Sequence, residues 1–187
     1  MLEGGKISTQ GEISKVIQQY YQNSNKKNEI SNRRIGSEAV ELLDVELVGL
    51  SGNLETTIHD EITIRMKYKI KKVVDARCVP NFHFFAPDGS YIFVSSPNDI
   101  SKLPPGVYQA DCRVPGGLLN EGAYFVGVAI TSCFDSGAYE VDFFERNALT
   151  FNVIDPMDER SYRYGYAGPV PGILRPKLDW QVTGGSI

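Results

Sequence analysis

From Ile62 to Ile70 the side chains alternate without a break. Ile62, Ile64, Met66, Tyr68 and Ile70 are apolar, while Thr63, Arg65, Lys67 and Lys69 are polar. A period of two belongs to a strand with one face in a core and the other in water. Similar runs follow, each bounded by turn residues. "CVPNFHFFA" and "YIFVSS" flank "PDGS", whose Asp88-Gly89 pair predicts a hairpin. "LPPG" precedes "VYQADCRV", "GGLLNEG" precedes "AYFVGVAITS", and "AYEVDFF" and "ALTFNVI" close the series. With Ala39–Leu50 this predicts eight strands and no helix among them. Short strands with regular turn signals predict an all-β, antiparallel sandwich of immunoglobulin-like or jelly-roll Greek-key type.

The first residues follow another pattern. Ile13, Val16, Ile17 and Tyr20 recur at helical spacing, so residues 12–21 predict a short N-terminal helix. Residues 22–34, "QNSNKKNEISNRR", are nearly devoid of apolar side chains and read as a linker.

Composition narrows the function classes. A chain of 187 residues with 42% hydrophobic and 22% charged residues is long enough for one domain with extensions. The net charge of −4 argues against a nucleic-acid partner, because phosphate binding wants a basic face. The longest apolar run, "AYFVGVAI", is far shorter than the roughly 20 residues of a membrane-spanning helix. The start, "MLEGGKIST", lacks the apolar core of a signal peptide, so a cytoplasmic location is expected. Cys78, Cys112 and Cys133 form no metal-binding spacing and suit a reducing compartment, with Cys112 read as a buried structural thiol.

Candidate chemistry is sparse. The phosphate-cradling GxxxxGK[ST], the GxSxG elbow and HExxH are absent. "HDE" at 59–61 reads as a solvated loop, because adjacent side chains converge poorly on one ion. His83 and Cys133 would be neighbours if their strands pair, but no third group orients them as a nucleophile and base. No catalytic residue, metal or cofactor is therefore expected. A glycan-cleaving or glycan-modifying enzyme stays open as an alternative, since carboxylates are plentiful.

The outward sides of two strands are more informative. If Phe82 and Phe84 face the core, His83 and Phe85 face outward. If Tyr124, Val126, Val128 and Ile130 face inward, then Phe125, Gly127, Ala129 and Thr131 form an outward floor of mostly small residues. Ring faces beside polar groups bind sugars, because they take up the apolar C–H surface while the polar groups take the hydroxyls. His83, Phe85, Phe125 and Thr131, with Asn81 and Asn152 as polar neighbours, are the candidate carbohydrate-binding residues. A loop or a partner chain covering this floor is the competing reading. The rival face is the outward side of the other sheet, with Arg65, Lys67, Gln109, Asp111 and Arg113, which would suit an anionic ligand.

Four stretches carry a resemblance: "GGKISTQGEISKVIQQYY", "RIGSEAVELLDVELVGLSG", "LPPGVYQADCRVPGGLLNEGAYFVGVAI" and "GPVPGILRPKLDW". Their order and spacing resemble the C-terminal carbohydrate-binding domain of the ATP-binding subunit, of the Wzt type, in O-antigen polysaccharide ABC transporters. The resemblance implies a cytoplasmic module at the inner membrane. It would bind the non-reducing end of lipid-linked O-polysaccharide and couple chain completion to export. Its partners would be the polysaccharide, a second copy in a homodimer, and the membrane-spanning subunit. It also implies four regions. Residues 1–21 would be the residual tail of a nucleotide-binding domain whose signature loops are absent, and 22–34 a linker. Residues 35–164 would be the sandwich and 165–187 a C-terminal extension. In that extension Ile173, Leu174, Leu178 and Trp180 supply apolar side chains after a Pro/Gly-rich connector. They are expected either to add a strand to their own sandwich or, preferably, to cross to a second copy as an exchanged dimer strand. A purely structural dimerisation module is the third possibility.

Overall fold

The computed structural model describes residues 2–3, 6–7, 34–49 and 54–185. The helix expected over 12–21 and the linker before Arg34 lie outside them. Leu2–Glu3 (β1) and Lys6–Ile7 (β2) form a two-strand antiparallel ladder.

The remainder is a two-sheet antiparallel sandwich, as the alternation predicts. One sheet has four strands in the order β3-β4-β6-β9: Ile35–Gly36, Val40–Val48, Ile62–Ile70 and Gly106–Val114. The other has five in the order β5-β11-β10-β7-β8: Glu55–Thr57, Tyr139–Ile154, Gly122–Cys133, Arg77–Phe85 and Tyr91–Ser95. Only the short β5 runs parallel to its neighbour, β11. Between the sheets lie Ile62, Ile64, Met66, Tyr68 and Ile70 of β6, all buried, against Phe82 and Phe84 of β7 and Tyr124, Val126, Val128 and Ile130 of β10. Each such side chain contributes about 1.5–3 kcal/mol on leaving water, which fixes the register of both sheets.

Three sequence expectations change. "AYEVDFF" and "ALTFNVI" are one strand of 16 residues, not two. The polar "ERN" between them does not end the strand, because it is absorbed in a bulge. Val126 pairs with Leu149 and Val128 with Glu145, so Arg146, Asn147 and Ala148 all stand opposite Gly127. A Cβ on Gly127 would come to 3.0 Å from the Arg146 carbonyl oxygen, so a side chain there would crowd the bulge. Second, β3 and β5 are strands the pattern did not announce, at two and three residues too short for a period to register. Third, Cys78 is the fully buried thiol, while Cys112 is only partly covered.

The C-terminal extension is seated by polar contacts. After a single 3-10 turn at Glu159–Ser161, the chain returns so that Leu174 bridges Leu119. Asn120 Nδ2 donates to the carbonyls of Val170 and Gly172, at 2.7 Å each, and Tyr124 Oη donates to that of Ile173 at 2.6 Å. The Asp155 side chain, 0% exposed, accepts from Arg163 Nε and Arg175 Nη1, both at 2.7 Å. Arg175 Nη2 also donates to the Ser161 carbonyl. Beyond Arg175 no strand forms among the described residues.

Candidate functional site

The pairing the outward-face reading requires is present. β7 and β10 are neighbours, with Phe85 opposite Phe125, His83 opposite Gly127, and Asn81 opposite Ala129. His83 stands on the outward side, flanked by core-facing Phe82 and Phe84. What stands around it differs from a bare floor. The exposed Phe144 of β11 brings its ring centroid to 4.7 Å from that of His83, and the exposed Tyr91 of β8 to 6.0 Å. Phe85 lies beneath them, 4.4 Å from Tyr91 and only 1% exposed. The Arg146 guanidinium, projecting from the bulge, sits 4.2 Å above the Phe85 ring, and its Nη2 donates to the Gly89 carbonyl at 2.6 Å. A cation on a ring face contributes about 0.5–2 kcal/mol, so Arg146 both roofs Phe85 and is held in place. Phe125 is buried as well.

The six candidate residues thus divide. His83 is half-buried and reachable. Its Nδ1 is buried with no hydrogen-bond partner, and burial holds its pKa below the ordinary value of 6.5. The imidazole is therefore neutral at pH 7. Asn81 Nδ2 donates to Thr131 Oγ1 at 3.2 Å and to the Val79 carbonyl at 2.9 Å, so these two side chains form one polar edge beside His83. Phe85 and Phe125 underlie the surface rather than forming it. Asn152 pairs with Ala123, four residues along β10 from Gly127, or about 13 Å away. The aromatic surface itself is Tyr91 and Phe144, which sequence reasoning missed together with Arg146. In "VDFFER", Phe143 faces the core, so Phe144 must face out. That signal was available, whereas the bulge that aims Arg146 inward was not.

The rival face is electrically occupied. Arg65 makes a two-pronged ion pair with Asp111, with both contacts at 2.8 Å. Glu46 lies 3.6 Å from both Arg65 and Lys67. Gln109 also donates to Asp111, whose carboxyl the Arg65 contact holds below the usual range. An anionic ligand there would have to displace Asp111 and Glu46.

The catalytic alternatives separate on register. Cys133 pairs with Arg77 and His83 with Gly127, which places the two positions six residues apart along β10, about 20 Å. The strands pair, but a Cys-His couple does not form. His59 is also not where the sequence put it. The turn exists, closed by Asp60 accepting from the Thr57 N–H at 2.9 Å and its hydroxyl at 2.6 Å. The His59 side chain is buried rather than solvated, because the 3-10 turn packs over it and brings Asp158 to 3.2 Å. Among the described residues, no three His, Cys, Asp or Glu side chains converge on a metal position.

Ile173 and Leu174 lie along their own chain at Leu118–Asn120. Leu178 and Trp180 are exposed, Trp180 at 86%.

A family model, the Wzt C-terminal domain, matches residues 31–168. The chain belongs to that family. It is a family of carbohydrate-binding domains associated with ABC transporters. The matched span covers both sheets, His83, Phe144 and Arg146, and stops before the tail that carries Trp180. Among solved structures, one described as the crystal structure of the C-terminal domain of Wzt is similar in fold. Its TM-score is 0.59 at 15% identity, over 81% of this chain and 88% of that one. No curated protein matches the chain. Among the described residues, no helix is long and apolar enough to cross a membrane.

Proposed function

We propose that this Wzt C-terminal domain is a non-catalytic reader of the non-reducing terminus of lipid-linked O-polysaccharide, coupling completion of the glycan to its export. The site is the outward face of the five-stranded sheet. Tyr91 and Phe144 offer ring faces to a terminal sugar, and His83 and the Asn81–Thr131 pair offer hydrogen bonds to its hydroxyls. Arg146 supplies a positive charge whose partners are ring faces and a carbonyl. One observation carries this reading: exposed rings gather around a neutral histidine whose buried Nδ1 has no partner. In the transporter two ATP-binding subunits would each carry one domain beside the membrane-spanning subunit on the cytoplasmic side, and that pairing is part of the proposal.

The test is retention of purified, lipid-free O-polysaccharide by the immobilised domain, with the length of the eluted glycan measured afterwards. Retention with unchanged chain length is expected. Shortened glycan in the eluate would favour the enzyme reading, and no retention would favour a purely structural module.

A further inference from the structure

A second concavity lies at the end of the sandwich, between the 3-10 turn and the C-terminal tail. It encloses about 690 Å³, within the range of roughly 300–1,000 Å³ in which small ligands are bound. Its walls are aromatic, with Tyr162, Tyr164 and Tyr166 from one side and Trp180 from the other. Its floor holds His59, 7% exposed in its side chain. His59 Nε2 is turned to the Asp158 carboxylate, 3.2 Å away.

Two features distinguish this cleft from a frayed tail. Tyr162 and Tyr164 have positive φ, 51° and 48°, in a left-handed region that residues with a Cβ rarely enter. Tyr164 is nonetheless 94% exposed, so packing of its own ring does not compensate for that backbone. Strain that serves no packing gathers at functional sites, where the surroundings hold it. Here the holder is Asp155. It accepts from the Met157 N–H, the Ser161 hydroxyl, Arg163 and Arg175, and so fixes the loop and the tail to the same buried carboxylate. The rings are thus presented in advance, which lowers the entropy cost of binding.

The chemistry is that of a saccharide site rather than an anion site. Arg160 is paired with Asp158, and Arg163 and Arg175 with Asp155. Lys177 lies over the Tyr162 ring at 5.6 Å. What remains for a ligand is ring face and phenol hydroxyl. The position fits as well. β10 and β11 run from the His83 face to this end of the molecule, where the Ile58 N–H donates to the Ile154 carbonyl and Ile58 lines the cleft.

We propose that this cleft is a second saccharide subsite, in which His59, Tyr162, Tyr164, Tyr166 and Trp180 hold sugar units that precede the terminus read at the His83 face. This rests on the reading of the chain as a polysaccharide binder, and it turns recognition of an end into recognition of an end together with a stretch of chain. Two subsites on one polymer bind more tightly than either alone, because the second contact is intramolecular.

Trp180 is the only tryptophan in the chain, so its emission reports on the cleft alone. The experiment titrates full-length lipid-free O-polysaccharide into the protein and follows both tryptophan emission and retention on a column. The emission should shift saturably in the wild type. It should also shift in Phe144→Ala, at higher polymer concentration. Tyr164→Ala, an exposed ring whose loss should leave the fold intact, should bind the polymer roughly 5- to 100-fold more weakly. It should bind a short fragment carrying only the terminus as the wild type does. The proposal is overturned if retained polymer leaves Trp180 emission unmoved, a result that keeps the terminal site. It is also overturned if emission moves with protein concentration and not with polymer, which would make the cleft an interface between copies. If the wild type neither retains polymer nor changes its emission, both readings fall.

Discussion

At the scale of single residues, Asp155 decides more than any ring. Burial works against its charged form, but the Ser161 hydroxyl, the Met157 N–H and the guanidinium groups of Arg175 and Arg163 outweigh this and hold the carboxyl well below the ordinary range. A depressed folded pKa contributes stability that is complete above the ordinary value of 3.8 and is lost as pH falls below it. Asp155→Asn takes the carboxylate from Arg175 and leaves Arg163 with Glu121 alone, around a fully covered side chain, so it should lose about 3 kcal/mol at pH 7. In urea titrations the gap between wild type and variant should narrow as the pH falls below about 4. A gap that is constant with pH would mean that the carboxylate charge plays no part. Asp155 carried no sequence signal. It sits in "NVIDPMDER" like any loop aspartate, and its importance arises from Arg163 and Arg175, which are 8 and 20 residues distant.

At the scale of elements, the strand faces were legible and the irregularities were not. Alternation placed Ile62 to Ile70 correctly because the core side of β6 is buried completely, and a one-residue slip would expose the whole row. The same logic put His83 outward. It failed at Phe85 and Phe125, since period two says which way a ring points but not what lies on top of it. Arg146 and Tyr91 cover Phe85 from neighbouring strands. It also split β11 at "ERN", because a bulge of three residues opposite one has the polar signature of a turn. The glycine of "AYFVGVAI" is the visible trace of that bulge. Gly127→Val should therefore push Arg146 and Glu145 away, costing about 1–3 kcal/mol of stability by overpacking. The variant should melt at a lower temperature and should also lose affinity for glycan, because Arg146 would leave the Phe85 ring. Unchanged melting would show that the bulge accommodates a side chain.

At the scale of the whole molecule, the tail has two functionally different parts. Up to Arg175 it completes the sandwich, giving partners to Asn120 Nδ2, Tyr124 Oη and Asp155. Beyond that it carries Leu178 and Trp180 on the surface. Truncation after Gly168 should leave Asn120 Nδ2 unpaired, take Ile173 from Tyr124 and Arg175 from Asp155, and give an unstable or aggregating protein, while truncation after Lys177 should melt with the wild type and lose only the second cleft. Equal melting of both truncations would show that residues 169–175 do not support the fold. Sedimentation of the Lys177 truncation also tests strand exchange: a dimer that persists without Trp180 is not held by it.

The central claim is that the His83 face, and not the charged face of the other sheet, reads the glycan. Isothermal titration of a short O-polysaccharide fragment bearing the non-reducing terminus tests it most directly, using Phe144→Ala and Tyr91→Ala on one face and Arg65→Ala on the other. The account predicts that each ring variant binds roughly 5- to 100-fold more weakly with an unchanged melting temperature, by analogy with stacking on aromatics, and that Arg65→Ala binds as the wild type does. Normal binding by both ring variants, with binding lost in Arg65→Ala, would contradict it.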